Sequence, residues 1–161
     1  MASGDTLLVF SPLANEPPAA NYATIDTRNS IAVLDFDAGT DESAVFGAIL
    51  PRHYGGGGLS VILHWMATSA TTGNVKWNAA IERMNTDLDS DSFAADQTAT
   101  TTTTGTAGIV TTTTITFTNG AQMDSLATGE PFRLRVTRDA NDAGDTMTGD
   151  AELLRVEVRE T

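Results

Sequence analysis

Leu59-Ser60-Val61-Ile62-Leu63-His64-Trp65-Met66-Ala67-Thr68 decides the architecture. Its alternate residues Leu59, Val61, Leu63, Trp65 and Ala67 make one apolar row; Ser60, Ile62, His64, Met66 and Thr68 make the opposite, mixed row. A period of two marks a strand, because successive side chains leave a pleated backbone on opposite faces. Immediately upstream, Gly55-Gly-Gly-Gly58 permits a sharp reversal, since glycine accepts positive φ at little cost, and is read as a hairpin turn into this strand. Residues 43–50, closed by Pro51, are apolar on both faces, as expected of a strand buried centrally in a sandwich. Downstream, Thr71-Thr-Gly-Asn74 is a turn signal. After it Val75, Trp77, Ala79 and Ile81 alternate with Lys76, Asn78, Ala80 and Glu82. The same stretch carries a helical stripe of Trp77, Ala80, Ile81, Met84 and Leu88. A tight turn after a strong strand favours a hairpin, so a strand is expected here too.

The same arithmetic extends to both ends. Leu7-Leu-Val-Phe10 and Ile31-Ala-Val-Leu-Asp-Phe36 are short apolar strands. Residues 98–104 and 111–114 form a threonine-rich tract. Threonine is β-branched and suits a pleated surface, and Ile109, Thr111, Thr113, Ile115 and Phe117 alternate with Val110, Thr112, Thr114, Thr116 and Thr118. Two Thr-rich strands joined through residues 105–108 are expected to form a hairpin with a hydroxylated outer face, solvated or packed on another subunit. Asn119-Gly120 is a further turn signal. Phe132, Leu134 and Val136 alternate with Arg133, Arg135 and Thr137, and Leu154, Val156 and Val158 with Arg155, Glu157 and Arg159. Arg133, Arg135, Glu157 and Arg159 are expected on outward faces, where ion pairs help specify register. Residues 87–96 read as an acidic loop with a helical turn at 92–95, residues 121–129 as a connection with another at 123–126, and residues 139–150 as a polar loop.

Roughly eight to ten short strands separated by turns predict an all-β protein. The doubly apolar strands and mixed connection lengths favour a two-sheet antiparallel β-sandwich of jelly-roll type with an extended N-terminal segment. Pro12, Pro17 and Pro18 impose extended geometry on residues 11–21. The expected division is 1–21, an extended N-terminal arm or connection, and 22–161, a single jelly-roll domain.

The chain has 161 residues, 40% of them hydrophobic, enough for one sizeable core. Its formal net charge is −12, with a pI near 4.2. That balance argues against nucleic acid or an anionic membrane as partner, since both need concentrated positive charge. No apolar run approaches the roughly 20 residues of a membrane helix, and residues 1–5 lack the basic region of a signal peptide. There is no cysteine, which excludes disulfides, thiol nucleophiles and Cys zinc sites. Lys76 is the only lysine; the other eight cations are arginine.

Catalytic motifs are missing. There is no G-x-S-x-G elbow, no H-E-x-x-H, and no lysine after residues 55–58 to make a phosphate loop. His53, beside that loop, reads as a surface or stacking residue and His64 as a structural one. Asp87-Leu-Asp89-Ser-Asp91 alternates carboxylates as calcium loops do, but Ser92 stands where glycine is needed and Thr98 where glutamate is needed. Residues 37–42 and 139–145 are similar acidic turns. Trp65 and Trp77, with Tyr22 and Tyr54, are the candidate sugar platforms; both tryptophans lie on the apolar rows, which points to core packing. The expectation is therefore a non-enzymatic protein, with catalytic residues none, cofactors none and metal ligands none.

Several segments carry a resemblance: Asn29-Ser-Ile-Ala-Val-Leu-Asp-Phe-Asp37, Thr40-Asp-Glu-Ser-Ala-Val-Phe46, Trp65-Met-Ala-Thr-Ser-Ala-Thr-Thr-Gly-Asn-Val-Lys-Trp-Asn78, Phe117-Thr-Asn-Gly-Ala-Gln-Met-Asp124, and residues 132–160. Together they resemble small jelly-roll virion structural proteins of tailed bacteriophages. The resemblance implies a capsid decoration or cement protein on the exterior of the virion, partnered by the major capsid protein and assembled as a homo-oligomeric trimer. It supplies no site residues. The competing expectation is a receptor- or carbohydrate-binding β-sandwich module of a phage fibre, spike or tail.

Overall fold

The computed structural model describes residues 4–85 and 87–161. Ten strands fill them: β1 (Thr6–Phe10), β2 (Thr24–Arg28), β3 (Ile31–Phe36), β4 (Glu42–Ile49), β5 (Leu59–Ala67), β6 (Asn74–Arg83), β7 (Gln97–Thr102), β8 (Thr111–Phe117), β9 (Pro131–Arg138) and β10 (Ala151–Glu160). Two short 3-10 turns, Pro12–Ala14 and Ala121–Met123, lie among the connections. Among the described residues no helix is long and apolar enough to cross a membrane.

The strands form two antiparallel sheets. One runs β2-β3-β10-β5-β8, with β1 added on β10; the other runs β4-β9-β6-β7. Along the chain β3, β4, β5 and β6 alternate between the sheets, as do β7, β8, β9 and β10. This is the double Greek key of a jelly roll. β10 is kinked by a register shift between Leu153 and Arg155; its first half pairs with β3 and its second half with β1.

The core follows from the alternation. Leu59, Val61, Leu63, Trp65 and Ala67 face Val75, Trp77, Ala79 and Ile81 across the sandwich, all essentially buried. Trp65 and Trp77 are fully buried and meet edge-on with ring centroids 6.0 Å apart, and Phe36 meets Trp77 at 5.0 Å and 82°. Such pairs contribute about 0.5–1.5 kcal/mol each beyond the area they bury.

Three expected hairpins are not hairpins. Residues 50–58, 68–73 and 103–110 each carry the chain from one sheet to the other, so β4/β5, β5/β6 and β7/β8 are pairs across the sandwich. A turn signal marks a reversal and carries no information on whether the next strand joins the same sheet. Gly58 still has a strict role: at φ +107°, a Cβ there would lie 2.5 Å from the Phe117 carbonyl oxygen. The Thr-rich strands β7 and β8 are accordingly edges of opposite sheets. A side-chain bond links them, the Thr113 hydroxyl donating to that of Thr101 at 2.8 Å.

β4 also differs from expectation, lying at an edge of its sheet rather than centrally. Its outward Val45 is buried because the preceding segment lies along it. Glu16 N donates to Val45 O (2.7 Å), Val45 N donates to Asn15 Oδ1 (2.9 Å), and Ser43 N donates to Asn21 O (2.8 Å). Residues 4–21 are thus built into the sandwich: β1 extends the six-stranded sheet, and residues 15–21 cover the edge of the other. The 92–95 stretch forms no helical turn.

Candidate functional site

The outward row of the four-stranded sheet is Ser43 and Val45 on β4, Arg133, Arg135 and Thr137 on β9, and Asn78 on β6. Two segments stand above it. Residues 16–21 form one wall, held by the β4 bonds just given. Residues 93–96 form the other, anchored by Ala94 N donating to Ile81 O at 2.9 Å. Between them lies an open groove of about 660 Å³ with β9 along its floor. Pro17 and Pro18 stiffen the first wall, so the groove is largely preformed.

The floor is polar and ordered. Arg133 Nη2 donates to both oxygens of the buried Glu82 at 2.6 and 2.8 Å. Arg135 Nη2 donates to Asp96 Oδ1 at 3.0 Å. Both guanidiniums lie over the Phe93 ring, 5.1 and 4.6 Å from its centroid. Cation–π contacts of this kind orient the guanidinium as well as stabilise it. The hydroxyls of Ser43 and Thr137 are bonded at 2.7 Å, and Asn78 Nδ2 donates to Asp139 Oδ2 at 3.1 Å. Three buried groove atoms have no protein partner: Asn78 Oδ1, Arg133 Nε and Arg135 Nε. All three are shut off from solvent while the groove stands open, so the polar surface the groove offers is that of the exposed parts of its lining, Glu16, Asp41 and Asp139 among them.

Lys76 sits beside this site on β6 and is held by Asp142 (2.6 Å) and Asp139 (3.4 Å). Their hydrogen bond raises the Lys76 pKa and lowers that of Asp142. The most strongly raised carboxyl lies elsewhere, on the six-stranded sheet. Asp35 on β3 is pushed up to about 6, first by burial and then by Asp150, Glu152, Asp26 and Glu42.

The residues singled out from sequence scatter. Trp65, Trp77 and Tyr54 are buried in the core, which removes them as platforms. Tyr22 is 47% exposed, in an apolar notch with Pro12, Leu13, Pro17 and Ile25. His53 is exposed; His64 lies 3.7 Å from Glu157 on the outer face of β5. The acidic turns bond locally: the Asp87 carboxylate accepts from Asp89 N while its main-chain carbonyl accepts from Ser90 N and Asp91 N, Glu42 accepts from Asp37 N, and Asp142 from Gly144 N. Among the described residues no group of three or more His, Asp and Glu side chains could hold a metal ion. Sequence reasoning missed Asn78, Phe93 and the 16–21 wall as site elements. The alternation placed Arg133 and Arg135 outward but could not tell that two loops rise beside them.

No family model matches the chain, and no curated protein matches it. Solved structures do. CsCBM6-3 from Clostridium stercorarium, in complex with cellobiose, is 13% identical with a TM-score of 0.56, over 96% of this chain and 95% of that one. The CBM22-2 xylan-binding domain of Paenibacillus barcinonensis Xyn10C is 16% identical with a TM-score of 0.52, over 92% of each chain. The CBM22-1–GH10 modules of Clostridium thermocellum Xyn10B, complexed with xylohexaose, match at 12% identity and a TM-score of 0.54, over 97% of this chain and 28% of that one. At these identities the likeness is one of fold, and a fold hosts many functions.

Proposed function

We propose that this chain is a non-enzymatic binding module that holds a neutral polysaccharide in the groove over β9. The observation that carries the reading is the groove itself: a preformed trough floored by fixed planar donors and acceptors, with a half-buried ring, Phe93, in its wall. Sugars are held by such pairs of planar polar groups, while their C–H faces lie on aromatic rings. Arg133 and Arg135 are already engaged by Glu82 and Asp96, and Glu16, Asp41 and Asp139 line the walls. The groove therefore offers no spare cation to an acidic sugar. Support also comes from fold: the similar structures include one solved with cellobiose and one named as a xylan-binding domain.

The test is isothermal titration with soluble xylan, cello-oligosaccharides and, as the acidic control, polygalacturonate. Binding to a neutral glycan, weakened at least tenfold by Asn78→Ala and by Phe93→Ala, is the expected result. No heat with any neutral glycan, or binding indifferent to both substitutions, would remove the reading.

A second reading, capsid decoration through the major capsid protein, is favoured by one observation. Leu13 (74% exposed), Tyr22 and Ile25 (53%) form an apolar notch better suited to a protein side chain than to a sugar. Cosedimentation with purified heads, abolished by Leu13→Asp, is its signature; a protein that stays in the supernatant counts against it.

A further inference from the structure

Between Asp96 and Asp124 the chain has no Asp, Glu, Lys, Arg or His. In a chain of net charge −12 that is a long neutral interval, and the fold gathers it on one side. β7 pairs only with β6 and β8 only with β5, so each ends its own sheet. The Thr101–Thr113 bond sets the two edges side by side. The crossover between them exposes Ile109 and Val110, 52% and 44%. The charged and titratable groups bordering this side are Lys76, opposite Thr100 and held by Asp139 and Asp142, His64, opposite Thr112, and Arg28, which lies against Gly108 and is paired with Glu152.

Free sheet edges invite pairing, and proteins ordinarily guard them with lysine, proline, inward charge or a bulge. The β2 edge has such a guard: Asp26 Oδ1 accepts from Thr27 N at 2.7 Å, occupying an amide of the edge strand. β7 and β8 have none. Neither contains a proline or a charge, and neither shows a register shift against its partner.

We infer that the β7/β8 side is a self-association surface whose occupant is a second copy of this chain, joined β8 to β8 and β7 to β7 about a twofold axis. Charge selects the occupant. Two copies at −12 repel each other over most of their surfaces, and this neutral side is where they approach at least cost. Geometry selects the symmetry. A twofold axis perpendicular to both sheets continues each sheet antiparallel into its counterpart, an isologous contact satisfied by one surface. Centring β8 on Thr114 sets Thr114 opposite its own copy and Thr112 opposite Thr116. The outward threonines at 112, 114 and 116 then meet as cross-strand pairs of a kind that stabilises sheets.

Sedimentation velocity from micromolar to near-millimolar protein is the first measurement, and a dimer is the expected species. Thr114→Lys sets like charges directly opposite across the axis, and Thr100→Lys adds charge on β7. Each side chain is exposed in the single chain, and each variant is expected to weaken dimerisation at least tenfold with an unchanged circular dichroism spectrum. Thr27→Lys, on the guarded edge, leaves it intact. Hydrogen exchange on the unaltered protein is an independent check: amides of 97–102 and 111–117 should slow as concentration rises, while those of 24–28 do not. A monomer at every concentration, a closed trimer, a dimer indifferent to both lysines, or exchange in 111–117 unaffected by concentration would overturn the inference.

Discussion

Arg138 and Asp145 form a buried, two-point ion pair. Nε donates to Oδ2 at 3.0 Å and Nη2 to Oδ1 at 2.9 Å, with the side chains 0% and 1% exposed. The remaining guanidinium protons reach the carbonyls of Phe36 (3.2 Å), Met147 (2.8 Å) and Gly149 (2.8 Å). One residue at the end of β9 thereby ties the four-stranded sheet to β3 of the other sheet and shapes the 139–150 loop. That loop carries Asp139 and Asp142, which hold Asn78 and Lys76 beside the groove.

Removing the cation strands a buried carboxylate. Arg138→Met is expected to cost about 3–5 kcal/mol, the range for breaking a buried pair from one side. The double variant Arg138→Met/Asp145→Leu should recover part of that loss. Urea denaturation of the two single variants and the double variant measures the coupling; simple additivity would contradict the account.

Thr113 is a relay across the sandwich. Trp65 Nε1 donates to its hydroxyl at 2.9 Å, and that hydroxyl donates to Thr101 at 2.8 Å. Thr113→Val keeps the shape and leaves the indole N–H buried without a partner, at a cost of about 1–3 kcal/mol. Thr101→Val removes only the outer link and should cost less. Denaturation followed by tryptophan emission ranks the two.

Asp35 and Glu157 impose opposite pH dependence. The Asp35 carboxyl, raised by burial to about 6, holds its proton more tightly folded than unfolded, so its contribution to stability is full below about 4 and is lost as pH rises towards 6. Glu157 is lowered to about 2 by hydrogen bonds from Arg159 and Thr6, so its contribution is full above about 4.5 and is lost as pH falls towards 2. Relative to the parent, Asp35→Asn should gain stability progressively between pH 4 and 6. Melting temperatures across that range supply the test, and a constant difference would count against a raised Asp35.

Gly58 and Gly105 differ in what their backbones require. Gly58→Ala meets both a positive φ and the Phe117 carbonyl, and should destabilise by more than about 1 kcal/mol. Gly105 has open space and no positive φ, so Gly105→Ala should be neutral or stabilising by up to about 1 kcal/mol. Equal effects at the two sites would contradict this placement.

Much of this was legible in the chain. Residues 31–36, 59–67, 131–138 and 151–160 are strands because their side chains alternate, and Trp65 and Trp77 are core because they sit in the apolar rows. The β6 ambiguity resolved to a strand because Trp77, Ala79 and Ile81 have an apolar sheet to face. Arg138 was less visible: its alternation partner row is apolar, and nothing local says that a guanidinium will be met there by three carbonyls and Asp145. The groove was invisible for a related reason. Its floor is a row of ordinary outward residues, and its walls come from residues 16–21 and 93–96, remote in sequence and drawn together only by pairing with β4 and β6.

By itself, then, the sequence determined which residues turn inward, where the chain reverses, and that no catalytic motif is present. Only tertiary structure decided which sheet each strand joins. Periodicity is a local property of a pleated backbone, whereas a strand's partner is chosen by contacts distant in sequence. The threonine-rich strands show the difference. Their alternation was readable residue by residue, but their separation into opposite sheets, joined by one hydroxyl bond between Thr101 and Thr113, was set by β5 and β6 claiming one each.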